Sequence, residues 1–211
     1  MPERSLKRLL KNRLIGFTIC SALIFALVIG GGRAIGVFAA CDPHTQPCSS
    51  TQVTLPVNGG VLSESGPGTG VYAQDVQLDG TDQTTPYTLP IVVTDARGTG
   101  NGWNLTIVST QFSTGASNPI HTLSTSASII SSLAVSCNPG AKCTLPHNTI
   151  SPTGLGVPAA AGATPVEFFN ATANTGMGMF TITPTISISI PAATYAGTYT
   201  SNVTVALVSG P

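Results

Sequence analysis

Apolar and polar residues alternate strictly along MFTITPTISISI. Phe180, Ile182, Ile186, Ile188 and Ile190 share one parity, and Thr181, Thr183, Thr185, Ser187 and Ser189 the other. Successive side chains of a strand point to opposite faces, so this period predicts a strand with one buried and one wet face. Pro184 falls on the buried parity and has no N–H to give to a ladder, which predicts an edge position, a break or a bulge. GTYTSNVTVALV repeats the pattern, with Tyr199, Val203, Val205 and Leu207 on one side. WNLTIVS does so again through Trp103, Leu105 and Ile107. Further strand candidates are 51–57, 71–78, 88–94, 126–135 and 149–151. No window of helical length places apolar residues at three-and-four spacing, and segments 113–124 and 152–164, rich in Gly, Ser, Ala and Pro, read as loops. The expectation is an all-β chain forming a single β-sandwich domain, immunoglobulin-like or related, with a closed barrel as second choice.

The first 40 residues break this pattern. Arg4, Lys7, Arg8, Lys11 and Arg13 precede an apolar run from Leu14 to Ile29, and Ala39 and Ala40 follow. That is a secretory signal, so 1–40 is read as a targeting segment and the chain as exported; an uncleaved anchor is the alternative. Beyond residue 40 only Arg97 and Lys142 remain as cations against seven carboxylates, a net charge of −5. Such a chain has no electrostatic footprint for a phosphate backbone, which argues against nucleic acid, and it meets a membrane only through the signal.

Export makes disulfides expected. Cys20 lies in the signal, leaving Cys41, Cys48, Cys137 and Cys143. CDPHTQPC and CNPGAKC each frame a short turn-forming loop, so the pairs Cys41–Cys48 and Cys137–Cys143 are chosen from three possible connectivities. A lipid-bearing Cys41 competes with this reading, but Phe38 suits that signal poorly and lipidation would leave Cys48 unpaired. Segment 41–70 is then an N-terminal extension carrying the first loop, and 71–211 the main domain.

VVTDARGTGNGWNLTIVSTQF holds the single Trp beside Asp95 and Arg97. The alternation reads as a hairpin, with 88–94 leading into DARGTGNG and WNLTIVS returning. Asp95 and Arg97 are then a turn pair, and Trp103 and Leu105 a core pair on one strand face; exposed, the same Trp would suit stacking on a sugar ring.

TDARGTGNGWNLTI resembles the proximal motif of WxL-domain proteins, in which Asp-x-Arg-Gly leads into Gly-Trp-x-Leu; Asp95, Arg97, Gly98, Gly102, Trp103 and Leu105 all match. The tail PAATYAGTYTSNVTVALVSGP resembles the closing segment of that family, with Tyr199, Leu207 and Pro211 in place and Val205 where the second Trp belongs. The resemblance implies a surface protein of a Gram-positive-type bacterium, held non-covalently on the peptidoglycan of the cell wall. It also implies ligand-binding roles for Trp103, Leu105, Asp95, Arg97, Tyr199 and Leu207.

Candidate chemistry adds little to this. His44, His121 and His147 stand at no metal-ligand spacing, and no Gly-x-Ser-x-Gly elbow or phosphate loop occurs. Asp75, Asp79 and Asp82 do not follow a calcium-loop spacing and read as solvated turns. Asn104, Asn170 and Asn202 head Asn-x-Thr sequons, which matter only where a glycosylation machinery exists. No catalytic residue, cofactor or metal is expected, and the protein is not read as an enzyme. Two function classes stand: a wall-associated protein that binds glycan or its peptide, and a structural or interaction subunit of a surface layer, coat or pilus-like assembly. The second would pair through strand edges with other surface proteins or with itself, the uncharged segment 177–190 offering such an edge.

Overall fold

A computed structural model describes residues 52–116 and 119–210. The signal segment and the Cys41–Cys48 pair lie outside the described residues. Of the two units into which the chain divides, Met1–Thr54 and Leu55–Pro211, the fold below is that of the second.

Eight strands follow one another: β1 (Leu62–Ser65), β2 (Gln83–Thr88), β3 (Ile91–Asp95), β4 (Trp103–Ser109), β5 (Ser128–Cys137), β6 (Val166–Ala171), β7 (Gly178–Ile190) and β8 (Val203–Ser209). All pairings are antiparallel. One sheet is centred on β7, with β5 along one side, β2 and β3 end to end along the other, and β1 beyond β3. The other has the order β6-β4-β8. Inward side chains of both sheets form one core, led by Trp103, Phe168, Phe169 and Phe180 with Ile91, Leu105, Ile107, Ile130, Ile182 and Ile186. This is a β-sandwich, and among the described residues no sheet closes into a barrel.

The alternation along β7 is realised as read: Phe180, Ile182, Ile186 and Ile188 are buried and the intervening Thr and Ser side chains half-buried or exposed. Its position is not as expected, because β7 is the central strand and not an edge. Pro184 is tolerated there by a break in its partner. Its carbonyl accepts the Leu89 amide at 3.0 Å, so the side on which its own N–H is missing faces the junction where β2 ends and β3 begins. Segment 177–190 therefore offers no free edge.

The hairpin expected around Trp103 is also overturned. β3 pairs with β1 and β7, whereas β4 pairs with β6 and β8, so the link between them crosses from one sheet to the other. The seven residues between Asp95 and Trp103 are too many for a tight turn. Period-two alternation buries one face of each strand equally well whether the two lie side by side or face to face.

Segments 52–57, 71–78 and 149–151 form no strands. Val53, Leu55 and Val57 stay exposed. Residues 149–150 bond side chains instead of a ladder: Thr149 N–H donates to Asn170 Oδ1 at 2.8 Å and Ile150 N–H to Asn148 Oδ1 at 3.1 Å. The Cys137–Cys143 disulfide is present, closing the loop that leaves β5, and Asn138 and Thr144 N–H groups in that loop donate to Met179 and Met177 carbonyls of the β7 approach.

Candidate functional site

The crossover from β3 to β4 is organised by one ion pair. Asp95 ends β3 with its side chain fully buried, and the Arg97 guanidinium folds back onto it through Nε to Oδ1 and Nη2 to Oδ2, both at 2.9 Å. The Arg97 backbone N–H adds a third bond to Oδ1 at 3.1 Å. A fork of this kind satisfies both carboxylate oxygens, which an ion buried in a core edge requires. Hydrogen bonds from the Arg97 side chain outweigh burial and hold the Asp95 carboxyl below its ordinary range, and the same bonds raise Arg97.

Arg97 reaches further. Nη2 donates to the Gly102 carbonyl at 2.7 Å and Nη1 to the Ser209 hydroxyl, so one side chain ties the end of β3, the start of β4 and the end of β8. Gly210 N–H donates to the same Gly102 carbonyl at 3.1 Å, and the Asn104 amide to the Gly210 carbonyl at 3.2 Å. Gly102 has φ +72°, and a Cβ there would run into the Ala171 carbonyl, so no other residue fits both the backbone and the space.

Trp103 enters the core directly after this clasp. It is fully buried, stacks on Phe180 of β7 with ring centroids 5.7 Å apart and lies 5.8 Å from Phe169 of β6. One indole thus packs against both sheets. Its Nε1–H donates to the Gly176 carbonyl at 2.9 Å, which satisfies the one polar atom that burial would otherwise orphan. Leu105 and Ile107 are buried on the same face, and Asn104, Thr106 and Val108 are half-buried on the other.

The six residues implied as ligand-binding therefore occupy different places. Asp95, Trp103 and Leu105 lie inside the domain, and Arg97 bridges its end. Leu207, half-buried opposite Leu105 on β8, packs on the core. Tyr199 alone of the six lines a cleft, a space of about 1060 Å³ walled by segment 64–78, the inner face of β2, the end of β7, segment 194–201 and Val203 and Val205 of β8. Val205 sits opposite Ile107 and turns its side chain toward this space. Residue patterns alone did not single out Tyr72, Tyr87 and Tyr195, which line it too. Their signal is only that four tyrosines exist in the chain.

The remaining candidates hold a turn or join loops. Asp79 accepts from Thr81 N–H and hydroxyl at 2.9 and 2.7 Å, which holds its carboxyl low, and Asp82 accepts from the Ala192 N–H at 2.8 Å. His147 Nδ1 lies 3.4 Å from the Thr172 hydroxyl, and His121 stacks on Tyr195. Among the described residues no three His, Cys, Asp or Glu side chains group as metal ligands would.

Fold and crossover together define an all-β sandwich domain pinned at one end by an Asp–Arg clasp that feeds a buried Trp-x-Leu strand. A family model described as WxL domain surface cell wall-binding matches residues 50–211, and the chain belongs to this family. It is a cell-surface protein associated with the cell wall. Comparison with curated proteins and with solved structures yields no match.

Proposed function

We propose that the protein is exported through its N-terminal signal and binds peptidoglycan non-covalently through the sandwich at 55–211. The observation that carries this reading is the family match over 50–211, whose description is of a cell-wall-binding domain. The net charge of −5 beyond residue 40 supports it, because an acidic chain gains nothing from the anionic polymers of a wall and must recognise another component. On this reading Asp95, Arg97, Trp103, Leu105 and Leu207 serve binding by holding the fold, and contact with the wall falls elsewhere.

Sedimentation with purified peptidoglycan freed of its secondary polymers tests the binding. The protein is expected in the pellet; protein left in the supernatant at every peptidoglycan load contradicts the reading. N-terminal sequencing of the released protein is expected to begin at Ala40 or Cys41, and the presence of residues 1–30 would contradict export by cleavage.

A second reading, assembly through strand edges, draws on β8. Among the described residues this strand pairs with β4 alone, carries no charged side chain and leaves Val208 exposed. Concentration-dependent assembly in the absence of wall would favour it.

A further inference from the structure

Tyr72, Tyr87, Tyr195 and Tyr199, all the tyrosines of the chain, line the same cleft of about 1060 Å³, though they come from three separate stretches of sequence. Their states fit recognition better than packing. Tyr72 is 90% and Tyr195 65% exposed, so two large rings that would gain from burial are kept out of the core. Tyr195 is nonetheless fixed. Its ring stacks on His121 with centroids 3.9 Å apart and planes within 14°, and its carbonyl accepts the Tyr199 hydroxyl at 2.9 Å. A ring held in place beforehand loses little freedom when a ligand arrives.

Tyr87 supplies the polar element. On the inner face of β2 it is only 9% exposed, and its hydroxyl has no hydrogen-bond partner among the described residues. Burial pushes the phenol up to about 12, so it stays protonated and can both donate and accept. Among the described residues no fully buried side-chain polar atom lacks a partner, which places this hydroxyl within reach of solvent from the cleft. Its partner can come from a ligand.

Charge narrows the ligand. Glu64 and Asp75 line the cleft and no Lys, Arg or His does. A phosphate-rich polymer would meet two carboxylates and no cation. A neutral chain of sugar rings meets what is present: ring faces for its C–H edges, and carboxylates and hydroxyls for its own hydroxyls. The volume lies just above the ~300–1,000 Å³ range of small-molecule sites, enough for more than one ring.

We propose that this tyrosine cleft binds the glycan strand of the wall, Tyr72 and Tyr195 stacking on sugar rings and the Tyr87 hydroxyl bonding a ring substituent. The proposal rests on the peptidoglycan reading above. The test uses the full-length protein on purified peptidoglycan freed of anionic polymers, with two soluble competitors: neutral N-acetylglucosamine oligomers, which carry no free carboxylate, and the stem peptides alone. The unaltered protein pellets and the sugar oligomers release it. A Tyr72→Ala, Tyr195→Ala double variant still melts cooperatively, because both rings are exposed and only the surface stack on His121 is lost, and it is retained about tenfold more weakly. Tyr87→Phe loses only the hydroxyl and binds severalfold more weakly with its fold intact. Full retention of the double variant, or release by stem peptides alone, overturns the cleft and leaves the peptidoglycan reading standing. If the unaltered protein does not pellet, both fall.

Discussion

At the scale of single residues, the motif around Trp103 acts through burial and charge pairing. Arg97→Ala would leave the buried Asp95 carboxylate unpaired and release Gly102 and Ser209, at a cost of about 3 kcal/mol; this is the low end for a broken buried pair, since 15% of the Arg97 side chain still reaches solvent. Chemical denaturation of the variant beside the parent measures it, and a difference near zero would mean that the clasp does not stabilise the domain. Asp95 titrates below its unfolded value. Its contribution is therefore complete above the ordinary aspartate pKa of about 3.9 and is lost as pH falls through the lower folded-state pKa. Asp95→Asn is expected to be less stable at neutral pH and to lose less stability than the parent between pH 4 and more acid conditions, as thermal melts across that window would show. Much of this was legible beforehand: a carboxylate two positions from an arginine at a strand end reads as a turn pair, and Trp-x-Leu reads as one strand face. What the spacing could not convey is that Arg97 also reaches Gly102 and Ser209, because Ser209 is 112 positions away and only the fold brings it near.

At the scale of elements, strands with clean alternation could be read from the sequence and those without it could not. β3, β4, β5 and β7 were anticipated within a few residues, and β8 only from Val203, since the alternation that begins at Tyr199 is not yet strand there. β6 was missed because its alternation fails: Phe168, Phe169, Asn170 and Ala171 are buried in succession, and the register against β4 slips at Leu105/Thr106 so that Phe168 is the extra residue of a bulge. β2 was hidden by Pro86, whose side chain is exposed in a short strand paired on β7 alone. Strand partners were the least legible feature, since β3 and β4 keep the same burial pattern in a hairpin or in a crossover. Among connections, the loop closed by Cys137–Cys143 spans six positions and is also held by hydrogen bonds to the β7 approach. A double Cys→Ser variant is expected to lose at most ~2 kcal/mol and to keep its fold. Its thermal midpoint, compared with that of the parent under oxidising conditions, measures this; loss of cooperative melting would contradict it.

At the scale of the whole molecule, fold class followed from the prevalence of period-two alternation and the lack of any helical period. The cleft did not, because its walls come from segments 64–78, 83–91, 188–190 and 194–205, and nothing local in any of them marks a site. On the proposed function, the buried Trp103 supports wall association by holding the two sheets together. The most direct measurement pairs the thermal midpoint of Trp103→Ala with its retention on purified peptidoglycan, both against the unaltered protein. Removing an indole that packs on Phe169 and Phe180 is expected to cost about 3–5 kcal/mol, a large share of the ~5–15 kcal/mol that holds a domain together. The midpoint then falls well below that of the parent, and retention declines in step with the folded fraction. A Trp103→Ala protein with an unchanged midpoint and no retention on peptidoglycan would contradict the claim.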